Sequence, residues 1–181
     1  MSRITDPQIC NVIDYKEGAD MNTAVVYYSL NGNTAYIAKK IAAELQADII
    51  EIRTETQYPD KGIKKFLWGG KSAVMAETPE LQPYEFMPEK YDQVIFGFPV
   101  WAGNVTPPVR TFIRDNFEGL KGKTTSAFAC QSGFGAEKAF VRLSECLGGK
   151  ILSAKLVLND PKDKPNDENK QKIASFCKQC R

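Results

Sequence analysis

The chain has 181 residues, of which 43% are hydrophobic and 25% are charged, and its formal net charge at pH 7 is +2. This length suits one domain with a single core, and the composition is typical of a soluble globular protein rather than a disordered one. The small net charge gives no electrostatic reason to expect a nucleic-acid partner, because such partners require a clustered basic face.

Membrane, export and metal functions are also disfavoured. No apolar run approaches the roughly 18 residues that a membrane-spanning helix needs, and residues 1–20 lack the pattern of a secretory signal. We therefore expect a cytoplasmic protein with no membrane span. The chain contains no histidine, which removes His-based catalytic triads and the common catalytic zinc sites, and we expect no metal ion.

The five cysteines include a C-x-x-C pair, Cys177 and Cys180, close to the C-terminus. A thioredoxin-like pair would stand at the start of a helix, where the helix dipole lowers the thiol pKa. This pair stands at the end of a predicted helix instead. We interpret its members as incidental thiols, with a redox or metal role as the alternative.

From Thr23 onward, short apolar segments alternate with amphipathic patterns. β-Branched and aromatic residues predict strands at residues 23–28, 48–52, 91–98, 124–130 and 150–158. Apolar spacing predicts helices at residues 34–45, 62–76, 109–117, 136–147 and 166–177. This alternation predicts an α/β fold, a parallel five-stranded sheet with helices on both faces. The domain is expected to span residues 21–181, with residues 1–20 as a peripheral extension.

The strongest functional signal lies between the first strand and the first helix, where the sequence reads Ser29-Leu-Asn-Gly-Asn-Thr34. A phosphate at this point would meet free backbone N–H groups and the positive end of the helix dipole. Polar side chains add donors, and Gly32 allows close approach of the backbone. The loop contains no lysine or arginine, and neutral donors alone are typical of FMN sites rather than ATP sites. The simpler alternative is a polar turn in which Asn33 or Thr34 caps the helix.

Two other nucleotide-binding patterns fail. The segment Gly69-Gly-Lys-Ser72 ends like a Walker A loop, but Lys65 stands where the first glycine is required and no strand precedes it. The G-x-G-x-x-G fingerprint of dinucleotide-binding folds is absent after the first strand. ATP hydrolysis and Rossmann-type NAD binding are therefore disfavoured.

Two motifs in this order resemble the flavodoxin-like family. The loop at residues 29–34 is similar to the family's FMN-phosphate signature, a hydroxyl residue and two further positions followed by Gly-Asn-Thr. Residues 97–108, which include Pro99-Val-Trp-Ala-Gly-Asn104, resemble the loop that lies against the flavin ring in the family. Asn31 departs from the threonine that many members have. Because an amide also donates to phosphate, we expect binding to survive this change.

The resemblance implies a three-layer, doubly wound sheet with strand order 2-1-3-4-5 and FMN at the switch point between strands 1 and 3. No side chain is assigned a catalytic role, because FMN carries the redox chemistry. The predicted cofactor-binding residues come from the loops after strands 1, 3 and 4: Ser29, Leu30, Asn31, Gly32, Asn33, Thr34, Pro99, Val100, Trp101, Ala102, Gly103, Asn104, Ser132, Gly133, Phe134 and Gly135.

Two aromatic residues have more specific predicted roles. Trp101 is expected to stack on the flavin ring and to lower its reduction potential; the alternative is a tryptophan partly buried beneath a loop. Phe134 is expected to cover the ring, because the neighbouring glycines permit close contact.

Two uses of FMN fit these observations. The favoured one is an oxidoreductase that passes electrons from NAD(P)H to a small acceptor such as a quinone, since the Pro-Val-Trp loop and the long second crossover resemble reductase-type relatives. The alternative is a single-electron carrier between redox proteins, but familiar carriers are strongly acidic and this chain has a pI of about 8.2. A cofactor-free binding module on the same fold is the least favoured reading. The sequence favours no oligomeric state.

Overall fold

The computed structural model describes residues 21–56, 58 and 78–181. The predicted N-terminal extension and the predicted helix at 62–76 lie outside the described residues. The domain boundary at residue 21 therefore stays a prediction.

The five predicted strands form one parallel sheet in the order β2-β1-β3-β4-β5, as expected. The strands are β1 (Thr23–Tyr27), β2 (Asp48–Glu51), β3 (Gln93–Pro99), β4 (Thr124–Gln131) and β5 (Lys155–Asn159). The fifth strand begins five residues later than predicted. Residues 150–154 lead up to it, and Lys150 Nζ is held there by donating to the carbonyls of Leu120 and Lys123.

The described helices are α1 (Asn33–Leu45), α2 (Pro107–Asp115), α3 (Phe117–Leu120), α4 (Ala136–Cys146) and α5 (Asp167–Gln179). The third predicted helix is divided between α2 and α3. Asn116 separates these two helices, with a φ of −114° and a side chain that donates to the carbonyl of Phe112 and to the hydroxyl of Tyr84. A side chain that bonds to the preceding turn competes with continuation of the helix.

The core lies on both faces of the sheet, because side chains alternate between the faces along each strand. Val26 and Phe96 belong to the apolar cluster that includes Phe112 of α2 and Phe140 of α4. The residues before them, Val25 and Ile95, point to the other face and belong to a second cluster. This second cluster also contains Phe128 of β4, Ile37 and Ile41 of α1, and Ile173 and Phe176 of α5. This burial on both faces explains why the central strands read as continuous apolar runs.

Gly97 makes the close packing of this second cluster possible. It pairs with Phe128 across β3 and β4, and a Cβ built on Gly97 would lie 2.2 Å from Cζ of that ring. We expect Gly97→Ala to lower the free energy of unfolding by about 1–3 kcal/mol, since the fully buried ring has to shift. Urea denaturation of the two proteins measures this loss.

Gly133→Ala is the matched control for that substitution. A Cβ on Gly133 would have no atom within 4 Å, so we expect a change within about 0.5 kcal/mol. Equal denaturation midpoints for the two alanine variants would contradict the packing argument.

Candidate cofactor-binding site

A cavity of about 410 Å³ opens at the carboxyl edge of the sheet, beyond the ends of β1, β3 and β4. Its volume falls in the range of small-molecule sites. Predicted residues from all three loops line it, because parallel strands end at the same edge: Leu30, Asn31, Asn33, Pro99, Val100, Trp101, Ala102, Ser132, Gly133 and Phe134. The other predicted residues belong to the same loops but not to the cavity wall: Ser29, Gly32, Thr34, Gly103, Asn104 and Gly135.

The loop at residues 29–34, which we call the phosphate loop, is shaped by Ser29 and Gly32. The Ser29 Oγ accepts hydrogen bonds from the N–H groups of Gly32 and Ala35, at 3.1 and 3.2 Å. Gly32 precedes α1 with a φ of +88°, a left-handed conformation that favours glycine. Within the described part of the chain, the N–H groups of Asn33 and Thr34 have no acceptor. The start of α1 therefore offers backbone donors to an anion.

Thr34 provides the observation that best fits a bound phosphate. Its side chain is only 1% exposed, and its Oγ1 makes no satisfactory hydrogen bond with any described residue. The Cys130 thiol lies beside it, but a thiol is a weak partner. A buried hydroxyl without a partner costs about 1–3 kcal/mol. An acceptor supplied by a ligand at the start of α1 would remove that cost.

The side chain of Asn33 has partners that the sequence did not predict. Its side-chain amide donates to Asp163 Oδ2 and accepts from the N–H of Lys162, both at 2.8 Å. This amide is therefore engaged with residues 160–164, which we call the β5 loop, and this contact uses one of its two N–H donors. The backbone N–H of Asn33, the first residue of α1, has no acceptor among the described residues and can still donate to a phosphate. The neighbouring Asn31 has an exposed side chain on the cavity wall.

The β5 loop is the part of the site that sequence reasoning missed. Asp160 lines the cavity and accepts a hydrogen bond from Ser132 Oγ at 2.6 Å, which joins this loop to the loop after β4. The β5 loop also brings Lys162 beside Gly32, which places a cation near a loop whose own donors are all neutral. The sheet topology could have predicted this loop as part of the site, since β5 is parallel to the other strands and ends at the same edge of the sheet.

Cys130 and Gln131, at the end of β4, also belong to the cavity wall, and of these two only Gln131 was expected, as the first residue of the loop after the fourth strand. Burial raises the pKa of the Cys130 thiol to about 12, so this thiol remains protonated at neutral pH. Gln131 Oε1 accepts from the N–H of Ala136 and so holds the start of α4. Cys130 could have been found by extending the predicted site into the strand that precedes its loop.

Trp101 is largely buried, as the second alternative expected, and its stacking on the flavin ring stays a prediction. It lines the cavity, yet it is only 9% exposed and packs edge-to-face against Tyr28 and Tyr58, with centroid distances of 5.8 and 5.1 Å. A tight turn holds it: Asn104 N–H donates to the Trp101 carbonyl at 2.9 Å, and Ala102, between them, has a φ of +49°. Burial raises the pKa of the Tyr28 hydroxyl well above its ordinary value, so Tyr28 stays neutral.

Phe134 lies at the mouth of the cavity with 94% of its surface exposed. The loop that carries it touches the tryptophan turn, since a Cβ on Gly135 would lie 3.0 Å from the Cα of Gly103. Phe134 is therefore placed at the rim of the predicted ring site. Its role as a cover remains a prediction.

None of the helices in the described ranges is long and apolar enough to cross a membrane. A search among curated proteins finds no match to the chain. The family model for flavodoxin, in contrast, matches residues 22–172.

Solved structures share the fold at low sequence identity. A flavoprotein from Lactobacillus acidophilus, solved in complex with FMN, is 20% identical with a TM-score of 0.67, over 79% of this chain and 95% of that one. The apo-form of a flavoprotein from the same organism is 22% identical with a TM-score of 0.58, over 81% and 98%. A flavodoxin from the domain Archaea is 15% identical with a TM-score of 0.53, over 86% and 93%. By its family match, its strand order and the cavity at its switch point, the chain belongs to the flavodoxin family, and this membership supports FMN as its cofactor.

Proposed function

We propose that this protein binds FMN in the cavity at the carboxyl edge of the sheet and passes electrons from NAD(P)H to a small acceptor such as a quinone. The observation that carries the FMN assignment is the buried Thr34 hydroxyl, which lacks a satisfactory partner at the start of α1, directly beside the cavity. The family match and the FMN complex of the Lactobacillus acidophilus flavoprotein support the same assignment.

The residues present suit such a cofactor. The N–H groups at the start of α1 and the Thr34 hydroxyl would hold the phosphate, and Trp101 would form an apolar wall for the ring. When bound, FMN supplies the capacity to accept and release electrons. The chain's own contribution is to orient the cofactor and to exclude water, and the buried, neutral Tyr28 beside Trp101 helps to keep the inner wall dry.

Two features favour a small acceptor over a protein partner. The formal net charge is +2, so the chain lacks the strong acidity with which electron-carrier flavodoxins dock. The exposed Phe134 at the cavity mouth offers a flat apolar surface to an aromatic molecule. A single-electron carrier that exchanges electrons with redox proteins is the alternative, because the exposed aromatic ring of Phe134 also suits contact with a protein. Cytoplasmic location remains a prediction.

Anaerobic mixing of the FMN-loaded protein with NADH or NADPH tests the proposal. We expect rapid bleaching of the flavin absorbance, followed by its return when a quinone is added. Free FMN at the same concentration is the control for uncatalysed reduction. Failure of both nucleotides to bleach bound FMN, with a stable one-electron-reduced form on photoreduction, would favour the carrier. A protein that takes up no FMN would favour the cofactor-free module.

A further inference from the structure

The β5 loop is fastened to the phosphate loop and to the loop after β4. Asp160 takes a left-handed φ of +43° and accepts at its carbonyl from the N–H groups of Asp163 and Lys164, at 3.0 and 2.7 Å. This tight turn presents the Lys162 N–H to the side chain of Asn33, which is itself buried. The backbone of Lys162 is thus held in place beside the start of α1.

The Lys162 side chain extends across Gly32. A Cβ built on Gly32 would lie 3.1 Å from Lys162 Nζ and 3.7 Å from its Cδ. The two nearby carboxylates have other partners, because Asp160 pairs with Lys164 at 3.0 Å and Asp163 accepts from Asn33. Among the described residues, no carboxylate lies within ion-pair distance of the Lys162 ammonium group.

This placement is electrostatically unfavourable without an anion. The start of a helix carries a partial positive charge, which favours negative groups and disfavours a cation. Here the Lys162 ammonium group lies beside Gly32, and the next two residues contribute two N–H groups without acceptors in the described chain and the poorly satisfied Thr34 hydroxyl. An anion with several acceptor oxygens bound at this end of α1 would provide acceptors for these groups.

We propose that Lys162 binds the terminal phosphate of the flavin nucleotide and supplies the positive charge that the phosphate loop lacks. This inference rests on the proposed FMN site and adds to it a residue that selects the phosphorylated flavin. A charge-assisted hydrogen bond is stronger than a neutral one. Lys162 therefore contributes to the affinity for FMN but not to that for riboflavin, which has the same ring without the phosphate.

Fluorescence titration of the apo-protein with FMN and with riboflavin tests this role. We expect Lys162→Gln to raise the Kd for FMN about tenfold, in line with a hydrogen bond to a charged group, and to leave the Kd for riboflavin unchanged. Increasing salt should weaken FMN binding to the natural protein, because salt screens charge interactions. The same salt series should have a smaller effect on the variant.

Two further variants serve as controls. Lys170→Gln removes the same charge from α5, where Lys170 pairs with Asp167 on an exposed surface, and should leave both affinities unchanged. Lys162→Arg keeps the charge and should retain FMN affinity within about threefold. Thermal unfolding without flavin checks folding, and Lys162→Gln should be at least as stable as the natural protein, because it relieves the repulsion at the helix start.

The outcomes separate this inference from the proposed function. If the natural protein binds FMN and Lys162→Gln binds it equally well, Lys162 does not hold the phosphate, although the FMN site stands. An equal loss of FMN and riboflavin affinity would overturn the inference in the same way. If the natural protein binds neither flavin, the proposed function itself is wrong.

Discussion

Replacing Trp101 with alanine is expected to lower the free energy of unfolding by about 3–5 kcal/mol, the usual cost of truncating a large buried aromatic residue. Trp101 is almost fully buried and packs against both Tyr28 and Tyr58, so its removal leaves a void beside these two rings. Urea denaturation of the apo-protein measures the effect. Trp101→Phe, which keeps an aromatic ring, should lose less than half as much.

The same pair of variants tests the stacking prediction. Both remove the indole from the cavity wall, so both should shift the potential or the spectrum of bound FMN if the indole stacks on the ring. A normal spectrum and potential in Trp101→Phe, together with a large loss of stability in Trp101→Ala, would show that Trp101 is only a packing residue. A loss of stability below about 1 kcal/mol in Trp101→Ala would contradict the packing argument.

Replacing Thr34 with valine is expected to weaken FMN binding about ten- to a hundredfold, the range for losing a hydrogen bond to a charged group. Riboflavin affinity should not change, since the proposed partner of this hydroxyl is the phosphate, which riboflavin lacks. The apo-protein should be no less stable than the natural one, because valine has nearly the same shape and removes a buried hydroxyl that lacks a satisfactory partner. Flavin titration and urea denaturation together check these expectations.

Thr111→Val provides the matched control. Thr111 is also buried, but its hydroxyl donates to the carbonyls of Pro79 and Pro107, at 3.0 and 3.2 Å. We expect this variant to lose about 1 kcal/mol of stability and to bind FMN normally. If Thr34→Val behaved like Thr111→Val, with lower stability and unchanged FMN affinity, Thr34 would be a structural residue without a ligand.

The strands of the sheet followed from local patterns in the sequence, and the position of the cavity followed from the resemblance to flavodoxins. Apolar runs such as Val94-Ile-Phe96 identify strands that are buried on both faces, and the resemblance to flavodoxins supplied their order. Loops at the carboxyl ends of neighbouring parallel strands must then meet. The predicted groups around Leu30, Pro99 and Ser132 do meet at the cavity.

The contact between the β5 loop and the phosphate loop could not be predicted in this way. Asn33 and Lys162 are 129 positions apart, and β5 is not adjacent to β1 in the sheet. The contact arises because α1 packs across β3 and β4 as well as β1, and also touches α5. The tilt of a helix on a sheet depends on how side chains interlock, which periodicity does not report. For this reason, the position of Lys162 beside the phosphate loop could not be predicted from the sequence.

Asn33 has a further consequence for how the molecule opens. A primary amide donates and accepts hydrogen bonds at the same time, and the amide of Asn33 connects α1 to the β5 loop, which precedes α5. Local unfolding of α5 and the β5 loop would therefore disrupt the side of the cofactor pocket that Asp160 lines. Conversely, a nucleotide bound in this pocket would stabilise the contact between α1 and the β5 loop. Cofactor release and local unfolding of the β5 loop and α5 would then be thermodynamically linked.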